Sequence, residues 1–302
     1  MRKESTSIHS DATETIRFSP LFNDAFLRIF GGSDSKPVTM PFLNAVLRIA
    51  GLPEVDQVNR IVADASLPGG FECKTPRLDV VILSDDGRVF DLEAERRHVD
   101  VANKSLYYAA KLLAESTPKG PNNDYATIPQ VVVIVLLEGS IMFPETEQFV
   151  NTCRMWWDFG ESAGPDRMLL IVAELDKVRA RYNDSEIDDV LSDESLAWPY
   201  LLVAGYESPE EVEKIMESFP TIEEFATRYG IAIGDPDLKR AYDKYIESTL
   251  EYNSAMNYAK KGGLAQGLEQ GLEQGLEQGR LDVIAQLQEA GFTEAAAFLE
   301  NN

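Results

Sequence analysis

The chain has 302 residues, 44% of them apolar, which is enough for a large core, and its 28 Lys and Arg face 51 Asp and Glu for a formal charge of -23. Such a charge repels a polyanion at long range and argues against a protein that coats nucleic acid. Two distant cysteines, Cys73 and Cys153, exclude a disulfide framework or zinc cluster and fit a reducing cytoplasm; no apolar run spans a bilayer, and MRKESTSIHSDATET lacks a signal peptide's apolar core.

Residues 1 to 17 are polar and expected to be flexible. In NDAFLRIFG, Ala25, Phe26, Ile29 and Phe30 recur at helical spacing before the Gly31-Gly32 stop, and PFLNAVLRIAGL predicts a second helix from Pro41 to near Gly51. The signal from 54 to 75 is mixed, with VNRIVAD readable as an edge strand.

The stretch RLDVVILSDDGRVFDLEAERR, residues 77 to 97, predicts a hairpin, because Leu78, Val80, Ile82, Phe90, Leu92 and Ala94 are apolar at every second position. A three-residue loop, Asp85-Asp86-Gly87 with Gly87 left-handed, sets Asp79 opposite Glu93 and keeps the even-numbered apolar residues on one face. A two-residue Asp-Gly turn would set Asp79 opposite Ala94 instead. In the three-residue register Asp79, Asp91, Glu93 and Glu95 share the other face with Val81, Leu83 and Val89. Acids form strands poorly and are costly to bury, and opposed carboxylates repel unless a cation or proton lies between them. The face is either solvated or a metal site.

Downstream, VANKSLYYAAKLLAE (101 to 115) predicts a helix, QVVVIVLLEG (130 to 139) a fully buried strand and MLLIVAEL (168 to 175) another strand. Residues 184 to 260 read as consecutive helices, with caps at Ser208-Pro209 and Asp235-Pro236. This order implies an α/β core with a mixed central sheet flanked by helices. From Gly263 the chain repeats as GLAQ GLEQ GLEQ GLEQ GRLD. Four residues advance a helix by about 40° beyond one turn and each Gly costs about 1 kcal/mol relative to Ala, so the tail is either loose or a helix stabilised by a close partner.

An Asp, a hairpin and a Glu on the second strand, followed by a helix, resemble the PD-(D/E)XK nuclease superfamily, whose signature is Asp, then Glu-x-[Lys or Gln], and in particular its transposase-associated, recombination-promoting branch. NDAFLRIFG, FLNAVL, RLDVVILSDDGRVFDLEAE, KSLYYAAKLL, AELDKV and LAWPYLL are similar to that family's landmarks in order, and the glycine-punctuated tail is typical of it. The resemblance implies a restriction-endonuclease-like core at 18 to 180, a helical region at 181 to 262 and a repeat tail at 263 to 302. It implies a DNA endonuclease of recombination or mobile elements, with Asp79 and Glu93 holding Mg2+ (Mn2+ as substitute), the Ala94 carbonyl completing the shell, Glu95 as ligand or general base, and Asp24 matching an acid of the first helix. Glu95 stands where the family has Gln and the superfamily Lys, Leu27 where the first helix has a basic residue beside Arg28, and Asn103 or Lys104 where an Arg precedes Tyr107-Tyr108. Lys104 can supply the missing positive charge from the helix. The rival expectation is a catalytically degenerate member serving as a protein-binding or assembly module, self-associating through its tail.

Residues 71 to 120 hold eight basic and nine acidic residues, compatible with phosphate contacts at one site. Arg96 and Arg97 flank the acids as an exposed strand end or a DNA contact, and Arg77 is a possible partner of Glu95. Tyr107, Tyr108, Leu112, Trp156, Trp157 and Trp198 read as core, and His9 and His98 as bystanders.

Overall fold

The computed structural model describes residues 17–67, 76–96, 100–118, 120, 124–155, 166–182 and 187–300. The expectations for residues 1–16, His9, Arg97, His98, Trp156 and Trp157 fall outside these.

Helices α1 (Asn23–Phe30) and α2 (Lys36–Ile49) precede β1 (Val58–Ser66), β2 (Arg77–Ser84) and β3 (Val89–Glu95). After α3 (Val101–Ser116) come β4 (Val131–Leu137), β5 (Val150–Cys153) and β6 (Met168–Glu174). The helices α4 (Leu175–Tyr182), α5 (Asp188–Ser192), α6 (Glu194–Val203), α7 (Pro209–Ser218), α8 (Glu223–Ile233), α9 (Pro236–Glu289) and α10 (Thr293–Glu300) follow. The sheet order is β1-β2-β3-β4-β6-β5. Strands β1, β2 and β3 are antiparallel neighbours, β3, β4 and β6 run parallel, and β5 closes the far edge antiparallel to β6. A mixed sheet flanked by helices is the expected architecture.

The hairpin register is the three-residue one. Val80 faces Leu92 and Leu83 faces Val89, the Ser84 N–H donates to the Arg88 carbonyl (3.1 Å), and Gly87 has φ +84°, a conformation open to Gly. Even-numbered residues of the central strands, such as Ile82, Phe90 and Ile134, face an apolar layer built from α1, α2, α6 and α8, whereas Val81, Val89, Val133 and Val135 face α3. Leu78 is the exception: it joins the cluster under α3, not the even face. Alternation resets at this level because Asp64, across from Asp79 on β1, takes a left-handed φ of +53° and drops out of the strand pairing.

Several boundaries differ from expectation. Helix α2 starts at Lys36, with Pro37 in its first turn and Pro41 inside, so the proline that marks the start is the earlier one. The short edge strand β5 and helix α4 carry weak periodic signals and were not foreseen. Residues of α5 to α8 lie in the same apolar core as the sheet: Trp198 is fully buried, edge-on to Phe42 (5.7 Å) and Phe225 (5.8 Å). Both expected caps form, Ser208 accepting from the Glu211 N–H (3.4 Å) and Asp235 from the Asp237 N–H (2.8 Å).

The chain divides into a unit ending at Tyr242 and a second from Asp243. In the second, the repeat is helical, part of α9, and Leu264, Leu268, Leu272 and Leu276 are each 64–75% exposed. Ile284 of α9 and Ala296 of α10 are its buried apolar residues.

Candidate active site

The antiparallel pairing of β2 and β3 ends at Val80 and Leu92, one residue before Asp79 and Glu93. Beyond that point the two acids bond the backbone across the gap. The Asp79 N–H donates to Glu93 Oε1 (2.9 Å), and the Ala94 N–H donates to Asp79 Oδ2 (3.1 Å). Asp79 and Glu93 are thus clasped face to face where the hairpin opens. Each carboxylate satisfies an amide that the ladder leaves free, which is why acids are tolerated in this strand position.

Helix α3 roofs this end of the sheet. Asp100 caps it by accepting from the Asn103 N–H (3.2 Å), and Val101, Ser105, Ala109 and Leu112 form its buried stripe at helical spacing. That orientation sends Lys104 over the hairpin. Its ammonium lies 2.5 Å from Glu95 Oε2 and 3.1 Å from Glu93 Oε2, with the Tyr108 ring centroid 5.1 Å away, one helical turn on. A narrow cleft lined by Glu93, Glu95, Lys104, Ser105 and Tyr108 lies between helix and strand.

The electrostatics are those of crowded, dry carboxylates. Burial, then the nearby Asp79 charge, pushes the Glu93 carboxyl up from 4.5 to about 7, although Lys104 works the other way. Burial also raises Asp79, against the pull of the Ala94 N–H and Lys104. Burial by itself would lower the Lys104 ammonium, but the charges of Glu93 and Glu95 and their hydrogen bonds outweigh it and hold the group protonated above its ordinary value.

Asp91 is the remaining acid of the face that the spacing assigns to Asp79, Glu93 and Glu95. It is fully buried, and neither of its carboxyl oxygens meets an amide, hydroxyl or cationic donor. Burial first, then Glu93 and Asp79, holds its carboxyl well above the usual range. The available signal was its spacing, two residues before Glu93 and therefore on the same face of the strand.

Other expectations part company with the structure. Asp24 is exposed on α1, whose apolar face packs in the layer opposite α3; its carboxylate accepts from Asn23 (3.3 Å), and no described contact joins it to the hairpin acids. Arg77 pairs with Asp64, not with Glu95. Arg28, beside Leu27, pairs with Asp235 (2.8 Å), and Arg96 with Glu138 (2.6 Å), which also holds Arg179 (2.7 Å). Tyr108 is half-buried and engages Lys104, so it is not simply core.

The donor set, all oxygen, suits a hard divalent cation, and the unpartnered carboxyl of Asp91 is a group that a cation would satisfy. Among the described residues no three His, Cys, Asp or Glu side chains already converge on a metal position. Lys104 bonds Glu93 and Glu95 on one side, while Asp79 and Glu93 bond backbone amides on the other. Also among the described residues, no helix is long and apolar enough to cross a membrane.

No curated protein and no solved structure matches the chain. Residues 21–259 match the family described as PD-(D/E)XK nuclease family transposase. That span takes in the sheet, the acidic hairpin, α3 and most of the helical layer. With the mixed sheet and the clasped carboxylates in place, the chain belongs to the PD-(D/E)XK nuclease family transposases and carries a nuclease- or transposase-related function.

Proposed function

We propose that the protein is a cytoplasmic, Mg2+-dependent DNA endonuclease acting in recombination or mobile-element movement, with Mn2+ able to substitute. The observation that carries this reading is the ammonium of Lys104 set between Glu93 and Glu95 beside Asp79. It supplies from α3 the positive charge that the strand lacks because Glu stands at position 95.

Asp79 and Glu93 are assigned as metal ligands, with the Ala94 carbonyl completing the protein's share of the shell. A divalent cation held there would acidify an attacking water and offset charge on the phosphate. Glu95 would be placed to take a proton from an attacking water, and Lys104 to donate to a phosphate oxygen that gains charge. Lys104, which bonds both Glu93 and Glu95, would have to release Glu93 for that acid to hold a cation. Asp24 is left a supporting part only if α1 brings it to the bound DNA.

The test is nicking of supercoiled plasmid in Mg2+ or Mn2+ by the full chain, with EDTA, Asp79→Ala and Glu93→Ala as controls. Metal-dependent nicking that both substitutions abolish is expected, and Glu95→Gln should slow it. Absence of nicking, or nicking indifferent to Asp79 and Glu93, refutes the assignment; a gain with Glu95→Gln would mark the native residue as a lesion.

The exposed leucines of α9 favour a second reading, self-assembly through the repeat, alone or beside catalysis. Light scattering should then show an oligomer that Leu268→Gln with Leu272→Gln disperses. A monomeric wild type sinks it.

A further inference from the structure

Asp91 lies inside β3, paired with Val81 of β2 and Val133 of β4, on the same face as Glu93 and out of contact with solvent. A carboxylate in that position normally gathers two or three donors, since a buried unpaired anion is among the costliest arrangements in a protein. Here neither oxygen meets an amide, hydroxyl or cationic donor, and the group within hydrogen-bond reach is another acid, Glu93. The charges that act on Asp91 are those of two acids, Glu93 and Asp79, opposed by Lys104. The ammonium that could serve it is bonded instead to Glu93 and Glu95.

Other acids in this protein's interior are treated differently. Glu174 is just as buried, yet it accepts from the Met142 N–H (2.5 Å), the Phe143 N–H (2.9 Å), Asn151 (3.1 Å) and Lys177 (2.7 Å). Glu138 is held by Arg96 and Arg179. The fold therefore supplies partners to Glu174 and Glu138, whereas Asp91, among the described residues, has neither oxygen partnered and lies two residues from a proposed metal ligand. A structural role would be served equally well by Asn or Leu, and neither would carry the burden of an orphaned acid.

We propose that Asp91 is a third carboxylate arm of the metal site, holding the divalent cation from the buried side while Asp79 and Glu93 hold it from the hairpin's open end. This rests on the metal reading of Asp79 and Glu93 and adds a residue that the Asp, then Glu-x-[Lys or Gln] signature does not include.

The experiment is Mn2+ binding to the full chain, followed by titration calorimetry and by the electron paramagnetic resonance of free Mn2+, for wild type, Asp91→Asn, Asp79→Ala and Glu93→Ala. Melting of each protein in EDTA and in Mn2+ is read alongside. Asp91→Asn preserves shape and removes the buried charge, so it should melt at or above the wild-type temperature in EDTA. It should also bind Mn2+ at least ten-fold more weakly and lose most of the metal-induced rise in melting temperature. Equal Mn2+ affinity in Asp91→Asn and wild type overturns the proposal while leaving the metal site of Asp79 and Glu93 standing. A wild type that binds no Mn2+, or binds it regardless of Asp79 and Glu93, instead overturns the metal reading on which the proposal rests. Should Asp91→Asn melt lower in EDTA and fail to fold, Asp91→Glu, which keeps the charge, is expected to retain binding; loss of Mn2+ affinity in a folded Asp91→Glu with unchanged EDTA stability counts against a ligand role.

Discussion

Replacing Glu93 by Gln in the metal-free protein reports directly on how much charge strain the hairpin stores. The folded protein holds the Glu93 carboxyl near 7, against 4.5 for an ordinary one. A proton is therefore bound more tightly in the folded than in the unfolded chain. The associated stability is fully present below about 4.5, declines as pH rises through that window, and is gone above about 7. At about 1.4 kcal/mol per pH unit, ionising Glu93 costs the folded state about 3 kcal/mol at pH 8. Gln keeps the carbonyl oxygen that accepts from the Asp79 N–H and never ionises. In EDTA, Glu93→Gln should therefore be more stable than wild type at pH 8 by up to about 3 kcal/mol, or about 6–12 °C in melting temperature. Roughly 2 kcal/mol of that gap should close by pH 5.5. Urea denaturation of both proteins across this range measures the difference; charges remote from the cluster cancel, while the response of Asp79, Asp91 and Lys104 to the lost charge is included in it. Parallel curves, or a Gln variant weaker than wild type at pH 8, would show that the Lys104 ion pair outweighs burial and that the carboxylate is not strained.

Other perturbations probe the neighbouring parts. Lys104→Met should lower metal-dependent nicking by about 10²–10³-fold while leaving Mn2+ binding intact or tighter, as read from plasmid assays and calorimetry; unchanged nicking would remove Lys104 from the chemistry. Trp198→Ala should destabilise the protein by about 3–5 kcal/mol in a single urea transition shared by the sheet and helices α6 to α8, because the indole fills the junction between Phe42 and Phe225. Two separate transitions would refute a common core. Glu174→Ala should cost about 3–5 kcal/mol, since it leaves the nearly buried Lys177 charge with only the Phe143 and Gln148 carbonyls and frees the Met142 and Phe143 amides; a loss under 1 kcal/mol would mean that those carbonyls suffice to hold it.

Much of the fold was legible locally. Period-two apolar spacing in 78–94 identified the hairpin, and Gly87, suited to a left-handed φ, selected the loop length and hence the Asp79–Glu93 clasp. Turn geometry and strand alternation involve residues close in the chain, so their physics is contained in a short segment. The caps at Ser208 and Asp235 were readable for the same reason. The repeat was ambiguous because its intrinsic preference is weak; the structure carries α9 through it.

What the tertiary structure decided depends on groups distant along the chain. Leu78 changes sides because Asp64, on another strand, breaks the alternation beside Asp79. Asp91 is bare only because α3 covers it without offering a donor, and Lys104 reaches Glu93 and Glu95 only because the buried stripe of α3 fixes the helix's rotation over β3. Periodicity tells which face of an element is apolar, but not which partner that face meets or which charges the meeting brings together. Sequence alone thus determined the hairpin, its register and the acids facing one way; packing of α3 on the sheet decided which of those acids is dry, which is paired and which is left without a partner.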